Sequence, residues 1–309
     1  ITYPSSLLIA KQIKKAAPEI PIIFGGPQAS ILPCETLQNF HFIDFVLAGE
    51  ADYSFPGFLQ ELRKQLPDFN NIPGLAYRDE RGKIHFNPHS STFIKLDDLP
   101  VPAYDLINDK SVLNLDAGRG CPFNCTFCST NNFFSKKYRV KSVSRITDEM
   151  KFACETAKIS KFSFVHDMFT LDKKFVFDFC DRLIHLKKKN NIKYTWTCSA
   201  RIDCVNKEML FRMKDAGCES VFFGIESGSE TIQKIILKNL KISNVYDVAD
   251  ICRNAGINMY ASFITGFPDE TKPDLEKTLR CAVQLVLKGA SVQFSELSLL
   301  PGTPLFKQH

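Results

Sequence analysis

The chain alternates short apolar runs with segments in which apolar residues recur at helical spacing. Residues 6–17 have this helical spacing with lysines on the opposite face, which predicts a helix that stops before Pro18. Apolar runs at 20–24 and 43–48 predict strands that each end at glycine, and a further helix is predicted at 54–66. Short strands that alternate with helices are typical of an open, parallel α/β sheet, which binds ligands at the carboxyl ends of its strands.

The following segment separates two regions of different pattern. Residues 71–86 predict a β-hairpin around the turn at 79–82, and residues 87–105 are rich in Pro, Ser and Asp and have no periodicity. We therefore predict a first domain over 1–86, a linker over 87–105 and a second domain over 106–309.

The second domain repeats one unit of strand and helix. Three of its helices are predicted to stop at a glycine that leads into the next strand, at Gly217, Gly256 and Gly289. Six such units predict an open six-stranded segment of a barrel, which works at the carboxyl ends of its strands. The predicted strands are 112–116, 161–166, 193–199, 219–225, 257–265 and 291–300.

Composition narrows the class of protein. The 309 residues are 44% hydrophobic, which is enough for two ordinary domains with full cores. The net charge of +5 falls short of the strongly basic surface of a dedicated nucleic-acid binder. No apolar run reaches the roughly 18 to 20 residues of a membrane span and no signal peptide precedes the first domain, so we expect a cytoplasmic protein.

Three of the eleven cysteines are clustered, and the others are scattered through apolar segments as small core residues. Cys121, Cys125 and Cys128 form a CxxxCxxC pattern in a loop that also carries Gly118, Gly120 and Pro122. Thiolates select iron–sulfur clusters, zinc or copper(I), and a four-iron cluster normally takes four cysteines. Three would leave one iron open to a small molecule.

Two other interpretations of this loop are a structural zinc site with a borrowed fourth ligand and three buried thiols. Zinc sites usually have two separated pairs of ligands, and the sequence has no second pair. The spacing therefore favours the cluster.

With Phe127 directly before the last cysteine, the loop resembles the cluster loop of the radical S-adenosylmethionine (SAM) enzymes. The resemblance implies that Cys121, Cys125 and Cys128 bind a four-iron four-sulfur cluster and that Phe127 lies beside the adenine of SAM. The methionine part of SAM would chelate the open iron, and one electron would split the sulfonium to give a 5'-deoxyadenosyl radical. It also implies a reducing partner such as flavodoxin or ferredoxin.

The same resemblance extends to the ends of the later strands, including the GIESGS segment at 224–229. It implies that Asp167 meets the methionine amino group, and a cap of the next helix is the alternative. It implies that Arg201 pairs with the methionine carboxylate, and a salt bridge at the barrel mouth is the alternative. The implied SAM-binding set is Phe127, Asp167, Ser199, Arg201, Glu226, Ser227, Gly266 and Pro301.

The first domain resembles the second half of the cobalamin-binding domain that precedes many radical SAM modules, with Gly25 and Gly26 after the first strand. These glycines would let the backbone approach the nucleotide tail of cobalamin, although a Gly-Gly pair is also a common turn. None of the six histidines lies in the lower-ligand motif of that domain. We therefore expect cobalamin in an intact parent protein and not tightly bound to this chain.

Together these features predict a partial (β/α)6, TIM-like radical SAM barrel preceded by the second half of a Rossmann-like domain, truncated at both ends. The predicted function is radical SAM chemistry, with cobalamin-dependent methyl transfer to a small molecule or peptide in the intact protein. The alternatives are a non-methylating relative that performs cyclisation, epimerisation or rearrangement, a tRNA-modifying methylthiotransferase, and an electron-transfer or zinc-binding protein. The methylthiotransferases carry a second three-cysteine domain, whereas Cys34 is the only cysteine here before Cys121.

The loop at 131–141 mixes aromatic and cationic side chains. Such a mixture is able to stack on bases and hold phosphates. The modest net charge instead favours a solvated lid whose aromatic side chains pack on the barrel.

Overall fold

The computed structural model describes residues 2–89, 93–190 and 194–309, which form two compact units. The first unit comprises Ile1–Lys95, Phe127–Lys136 and Leu299–His309, and the second comprises Leu96–Thr126 and Lys137–Ser298. Part of the predicted linker, residues 90–92, and the first residue of the predicted strand 193–199 lie outside the described residues. The domain boundaries predicted from the sequence stay predictions.

A four-stranded sheet of order β1-β2-β3-β4 forms the first unit. β1 (Ile23–Phe24) and β2 (Phe45–Leu47) are parallel, and β3 (Leu75–Arg78) and β4 (Ile84–Phe86) extend the sheet as an antiparallel hairpin. The strands and the hairpin predicted for this region are confirmed.

Helices of the first unit follow or precede these strands. The helix Ser54–Leu62 (α4) ends four residues earlier than predicted, because Leu66 is 89% exposed and a further turn would bury nothing. Numbered in chain order, the helices of this unit are α1 (Thr2–Ala16), α2 (Gly26–Ile31), α3 (Pro33–Asn39), α4 (Ser54–Leu62), α5 (Thr130–Phe133) and α12 (Pro304–Gln308).

The second unit is built on a parallel six-stranded sheet of order β12-β11-β10-β9-β8-β5. This order confirms the predicted open barrel segment. Its strands are β5 (Leu113–Leu115), β8 (Lys161–Phe164), β9 (Thr195–Ala200), β10 (Cys218–Glu226), β11 (Asn258–Thr265) and β12 (Ser291–Glu296).

Helices connect these strands, and a short antiparallel pair, β6 (Gly118–Arg119) and β7 (Arg139–Val140), follows β5. Gly217, Gly256 and Gly289 have φ of 98°, 74° and 91°, so each predicted glycine stop is confirmed. The helices are α6 (Val143–Ala157), α7 (Lys173–Asn190), α8 (Lys207–Asp215), α9 (Glu230–Ile235), α10 (Ile242–Ala255) and α11 (Lys272–Leu287).

Burial in the second unit follows strand alternation. On β9, Trp196, Cys198 and Ala200 are buried, while the residues between them are half-buried. The Trp196 ring packs against Phe164 and Phe179, and its Nε1–H donates to the carbonyl of Ala216 at 3.0 Å. One face of the sheet therefore carries the core.

Glu149 of α6 is a buried carboxylate that joins several segments of the second unit. It accepts hydrogen bonds from Lys141 Nζ at 3.0 and 3.1 Å, from Arg145 Nε at 2.5 Å and from the Tyr104 hydroxyl at 2.9 Å. Burial, followed by the Glu149 charge, raises the pKa of Tyr104.

Within the described residues, no helix combines the length and apolar character that crossing a membrane requires.

Candidate active site

The cysteine loop begins and ends in a short hairpin. β6 pairs with β7, so Gly118 lies opposite Val140 and the loop between them is closed. A Cβ on Gly118 would lie 2.6 Å from the carbonyl oxygen of Arg139 and 2.7 Å from Cε1 of His166. Glycine is therefore required where the hairpin passes over His166.

The three cysteines of the loop are not in disulfides; Cys125 is buried, while Cys121 and Cys128 are half-buried. Spacings of four and three residues limit their Cα separations to about 14 and 11 Å. Among the described residues, no group of three or more His, Cys, Asp and Glu side chains is arranged to hold a single metal ion. The donor set itself, three thiols within eight positions, fits an iron–sulfur cluster.

Arg201, which follows β9, lies beside Cys125. Its Nη1 is 3.8 Å from Cys125 Sγ, and its guanidinium carbon is 3.9 Å from the centre of the Phe123 ring. Nε and Nη2 donate to the two carboxylate oxygens of Asp203, each at 2.9 Å. Burial lowers the pKa of Arg201, but Asp203 more than offsets this, so the pKa lies above its ordinary value. This permanent cation therefore faces a thiol of the predicted cluster.

A buried ion pair lies at the end of β10. Lys238 Nζ donates to Oε1 of Glu226 at 2.5 Å, and both residues are 7% exposed. The carbonyl of Lys238 accepts from Nη2 of Arg201 at 2.9 Å. Cys125, Arg201, Lys238 and Glu226 are thus joined by direct contacts within one unit.

Glu226 has an unusual backbone. Its φ is 66°, in the left-handed region that non-glycine residues seldom occupy, and the register of β10 against β11 shifts between Gly224 and Glu226. A Cβ on Gly224 would overlap Oε1 of Glu226 and lie 2.8 Å from Nζ of Lys238. Gly224 therefore makes room for the pair, and strain at Glu226 is typical of a functional position.

Gln233 of α9 fixes the segment that carries Lys238. Its Nε2 donates to the carbonyls of Ile225 and Ser227, each at 2.7 Å. The backbone carbonyl of Gln233 accepts from the backbone N–H of Lys238 at 3.0 Å. The N–H of Thr126 donates to the carbonyl of Ile236 at 3.0 Å, which ties the same segment to the cysteine loop.

Sequence reasoning missed Lys238, Gln233 and the role of Asp203 as the partner of Arg201. Lys238 lies twelve positions from Glu226, beyond a short helix, and no motif connects the two. Their relation depends on how the chain folds back after α9.

The remainder of the GIESGS segment turns toward α11. The Ser227 hydroxyl is fully buried and lies 3.0 Å from Thr278 Oγ1, and Ser229 Oγ donates to Asp274 at 2.5 Å. A Cβ on Gly228 would lie 2.7 Å from Cys281 Cβ. Helix packing occupies these side chains, and contact of Ser227 with SAM stays a prediction.

The other predicted SAM residues have varied surroundings. Asp167 and Gly266 are exposed, and the N–H of Gly266 donates to Oε2 of Glu270 at 2.8 Å. Ser199 is half-buried, and its carbonyl accepts from the N–H of Phe169 at 3.3 Å. Phe127 and Pro301 belong to the first unit. Their roles stay predictions.

The first unit contains a cavity of about 500 Å³ beside the carboxyl end of β2. Ser30 supports it, since Ser30 Oγ accepts from the N–H of Gly49 at 2.9 Å and donates to the carbonyl of Gly26 at 2.7 Å. Gly25 and Gly26 lie at the N-terminus of α2, the helix that carries Ser30, and they do not line the cavity. Lining residues include Ser30, Ala48, Gly49, Glu50, His89 and Asn132.

Residues 116–282, more than half of the chain, match the Radical SAM superfamily. The chain belongs to that superfamily. This membership confirms the resemblance drawn from the cysteine loop and the strand ends. The match covers β10 with Glu226, the segment with Lys238, and all three cysteines.

Curated relatives of this radical SAM chain are longer than it is. An uncharacterised methyltransferase of Pyrococcus horikoshii is 33% identical over 97% of this chain and 65% of its own length. An anaerobic magnesium-protoporphyrin IX monomethyl ester cyclase of Rubrivivax gelatinosus is 25% identical over 90% of this chain and 51% of its own length. The chain therefore spans about half to two thirds of these relatives.

A solved structure shares the fold over almost the whole chain. The radical SAM methyltransferase TsrM from Kitasatospora setae, determined with cobalamin and a [4Fe-4S] cluster bound, superposes with a TM-score of 0.79 at 16% identity. The alignment covers 98% of this chain and 60% of TsrM. At this identity the likeness concerns the fold.

Proposed function

We propose that this chain is the catalytic part of a radical SAM enzyme whose cluster is held by Cys121, Cys125 and Cys128. When bound, the cluster supplies the electron that cleaves the sulfonium of SAM. The observation that carries the proposal is the contact series from Cys125 through Arg201 and Lys238 to Glu226. It joins the predicted cluster loop to the carboxylate that the resemblance assigns to SAM.

In this proposal the side chains at the end of β10 bind and orient SAM. Lys238 fixes the Glu226 carboxylate through Oε1, so the carboxylate is held ready to accept hydrogen bonds from ribose hydroxyls or from the methionine ammonium. Because both charges are buried, an unpaired partner would be costly, and the pair stays together. Gly224 keeps the space that this arrangement needs.

Cluster assembly tests the proposal directly. Protein reconstituted anaerobically with iron and sulfide should bind about four irons and four sulfides per chain. Replacing Cys121, Cys125 and Cys128 with alanine should remove the visible absorbance of the cluster. Cys34→Ala is the matched control, because Cys34 is also half-buried but lies outside the loop. Stoichiometric zinc without iron uptake would overturn the proposal.

Methyl transfer with cobalamin is the reaction that we propose for the whole protein. The P. horikoshii relative and TsrM are methyltransferases by name, and TsrM was determined with cobalamin. The cavity of about 500 Å³ in the first unit has the size of a small-ligand site. Gly49, with φ of 81°, lines that cavity, and a Cβ there would lie 3.1 Å from Nδ1 of His89, so glycine lets the His89 ring approach the backbone at the cavity wall.

Cyclisation is the second candidate, because the R. gelatinosus relative is a cyclase. A labelled SAM methyl group distinguishes the two reactions. Methyl transfer would place the label in the product, whereas cyclisation would leave it in methionine. The flavodoxin or ferredoxin partner, the cytoplasmic location and a substrate other than nucleic acid stay predictions from the sequence.

A further inference from the structure

The guanidinium of Arg201 is almost fully engaged by the protein itself. A guanidinium has five N–H donors in a fixed plane. Asp203 accepts from Nε and Nη2, each at 2.9 Å, the carbonyl of Lys238 accepts from Nη2 at 2.9 Å, and Cys125 Sγ lies 3.8 Å from Nη1. Arg201 is 6% exposed, and the Phe123 ring covers one face of its plane at 3.9 Å.

These contacts oppose the carboxylate-binding role that the sequence predicts for Arg201. Bidentate capture of a carboxylate uses two parallel N–H groups on one edge of the guanidinium. Asp203 already occupies the edge formed by Nε and Nη2. The remaining edge donates to the Lys238 carbonyl and faces Cys125, so neither edge is open to a second carboxylate.

The same contacts place a permanent positive charge beside a sulfur of the predicted cluster. Net charge and hydrogen bonds to the sulfurs are among the features that set cluster reduction potentials. Reduction adds one negative charge, which a buried cation stabilises more than it stabilises the oxidised form. Asp203 offsets only part of this effect, because its side chain is 42% exposed and solvent screens it.

We propose that Arg201 is a positioning and electrostatic residue that raises the reduction potential of the cluster through Cys125, and that it does not bind the carboxylate of SAM. The inference rests on the proposed function, since it requires a cluster on Cys121, Cys125 and Cys128. The one-electron donor in the experiment below is dithionite, which stands in for the flavodoxin or ferredoxin that the sequence predicts.

The test measures the cluster potential without SAM. Reconstituted parent and variants are titrated anaerobically with dithionite and redox mediators, and reduction is followed by electron paramagnetic resonance and visible absorbance. Arg201→Gln should lower the ratio of reduced to oxidised cluster at least tenfold at a fixed potential, a shift of about 59 mV for one electron. Arg201→Lys retains the charge and should change the ratio less than threefold. Asp203→Asn should increase it.

SAM affinity, measured by equilibrium dialysis on the same samples, distinguishes an electrostatic role of Arg201 from binding of the SAM carboxylate. An unchanged potential in Arg201→Gln together with at least tenfold weaker SAM binding would show a carboxylate ligand and overturn the proposal. If Arg201→Gln retains no iron, Asp203→Asn decides, and an unchanged potential in that variant overturns the proposal. Failure of the parent to assemble a cluster is a separate result that removes the proposed function and this inference with it.

Discussion

Two glycines of one segment, Gly224 and Gly228, should fail in different ways when changed to alanine. Neither has a positive φ, so alanine meets no backbone strain and only its Cβ matters. At Gly224 the new Cβ would meet the ends of the Glu226 and Lys238 side chains. At Gly228 it would lie 2.7 Å from the carbonyl of Lys277.

The expected magnitudes differ because side-chain ends move and helix backbone does not. In Gly224→Ala the ion pair shifts, which should cost about 1 kcal/mol of stability, the lower end of overpacking. The displaced Glu226 carboxylate would lose a hydrogen bond to SAM worth roughly 1 to 3 kcal/mol, or about tenfold to hundredfold in affinity. In Gly228→Ala overpacking against α11 should cost about 3 kcal/mol and lower Tm by roughly 6 to 12 °C.

Both variants would be purified anaerobically, and thermal melting, iron content and SAM binding would be measured on each. We expect Gly224→Ala to retain its iron and nearly its parent Tm while losing SAM affinity. Gly228→Ala should have a lower Tm than the parent. At a temperature low enough for it to be folded, it should bind SAM with the parent's affinity. If Gly224→Ala melts at a much lower temperature and binds SAM with the parent's affinity, Glu226 has a structural role and the reasoning is refuted.

Three further predictions concern single buried groups. Glu226→Gln should retain the iron of the reconstituted protein and lose most formation of 5'-deoxyadenosine; cleavage at the parent rate at limiting SAM would contradict this. Burial lowers the pKa of His166 from 6.5 to about 4, so the unfolded chain binds more protons between these values and stability should fall by about 3 kcal/mol as pH drops from 6.5 to 4. His166→Phe should flatten that dependence in urea unfolding, and an unaltered slope would contradict the assignment. Glu149→Leu should cost about 3 to 5 kcal/mol, because it leaves Lys141 buried without its partner at 3.0 Å; a parent-like melting curve would contradict this.

Sequence reasoning succeeded where a one-dimensional pattern has a direct structural consequence. Parallel strands separated by helices bring their carboxyl ends to one edge, so the six-stranded sheet and the position of Glu226 at the end of β10 followed from periodicity. The glycine stops at Gly217, Gly256 and Gly289 followed from helix-ending chemistry.

The sequence did not predict the direction in which a side chain points at the end of a strand. Ser227 follows Glu226 directly, yet it packs against Thr278 on α11 while Glu226 pairs with Lys238. A bulge at Gly224 and the left-handed backbone of Glu226 separate the two directions, and neither is visible in a motif.

Arg201 shows why a motif also cannot assign a partner. Asp203, which accepts hydrogen bonds from Nε and Nη2 of Arg201, lies only two positions along the chain. A carboxylate of the protein therefore competes with any ligand carboxylate for these two N–H groups. Local concentration favours the internal partner, because the two side chains are held by one short turn, Ile202–Cys204. The remaining N–H groups of Arg201 face Cys125 and the carbonyl of Lys238, so we expect the arginine to act on the cluster and Glu226 to bind SAM.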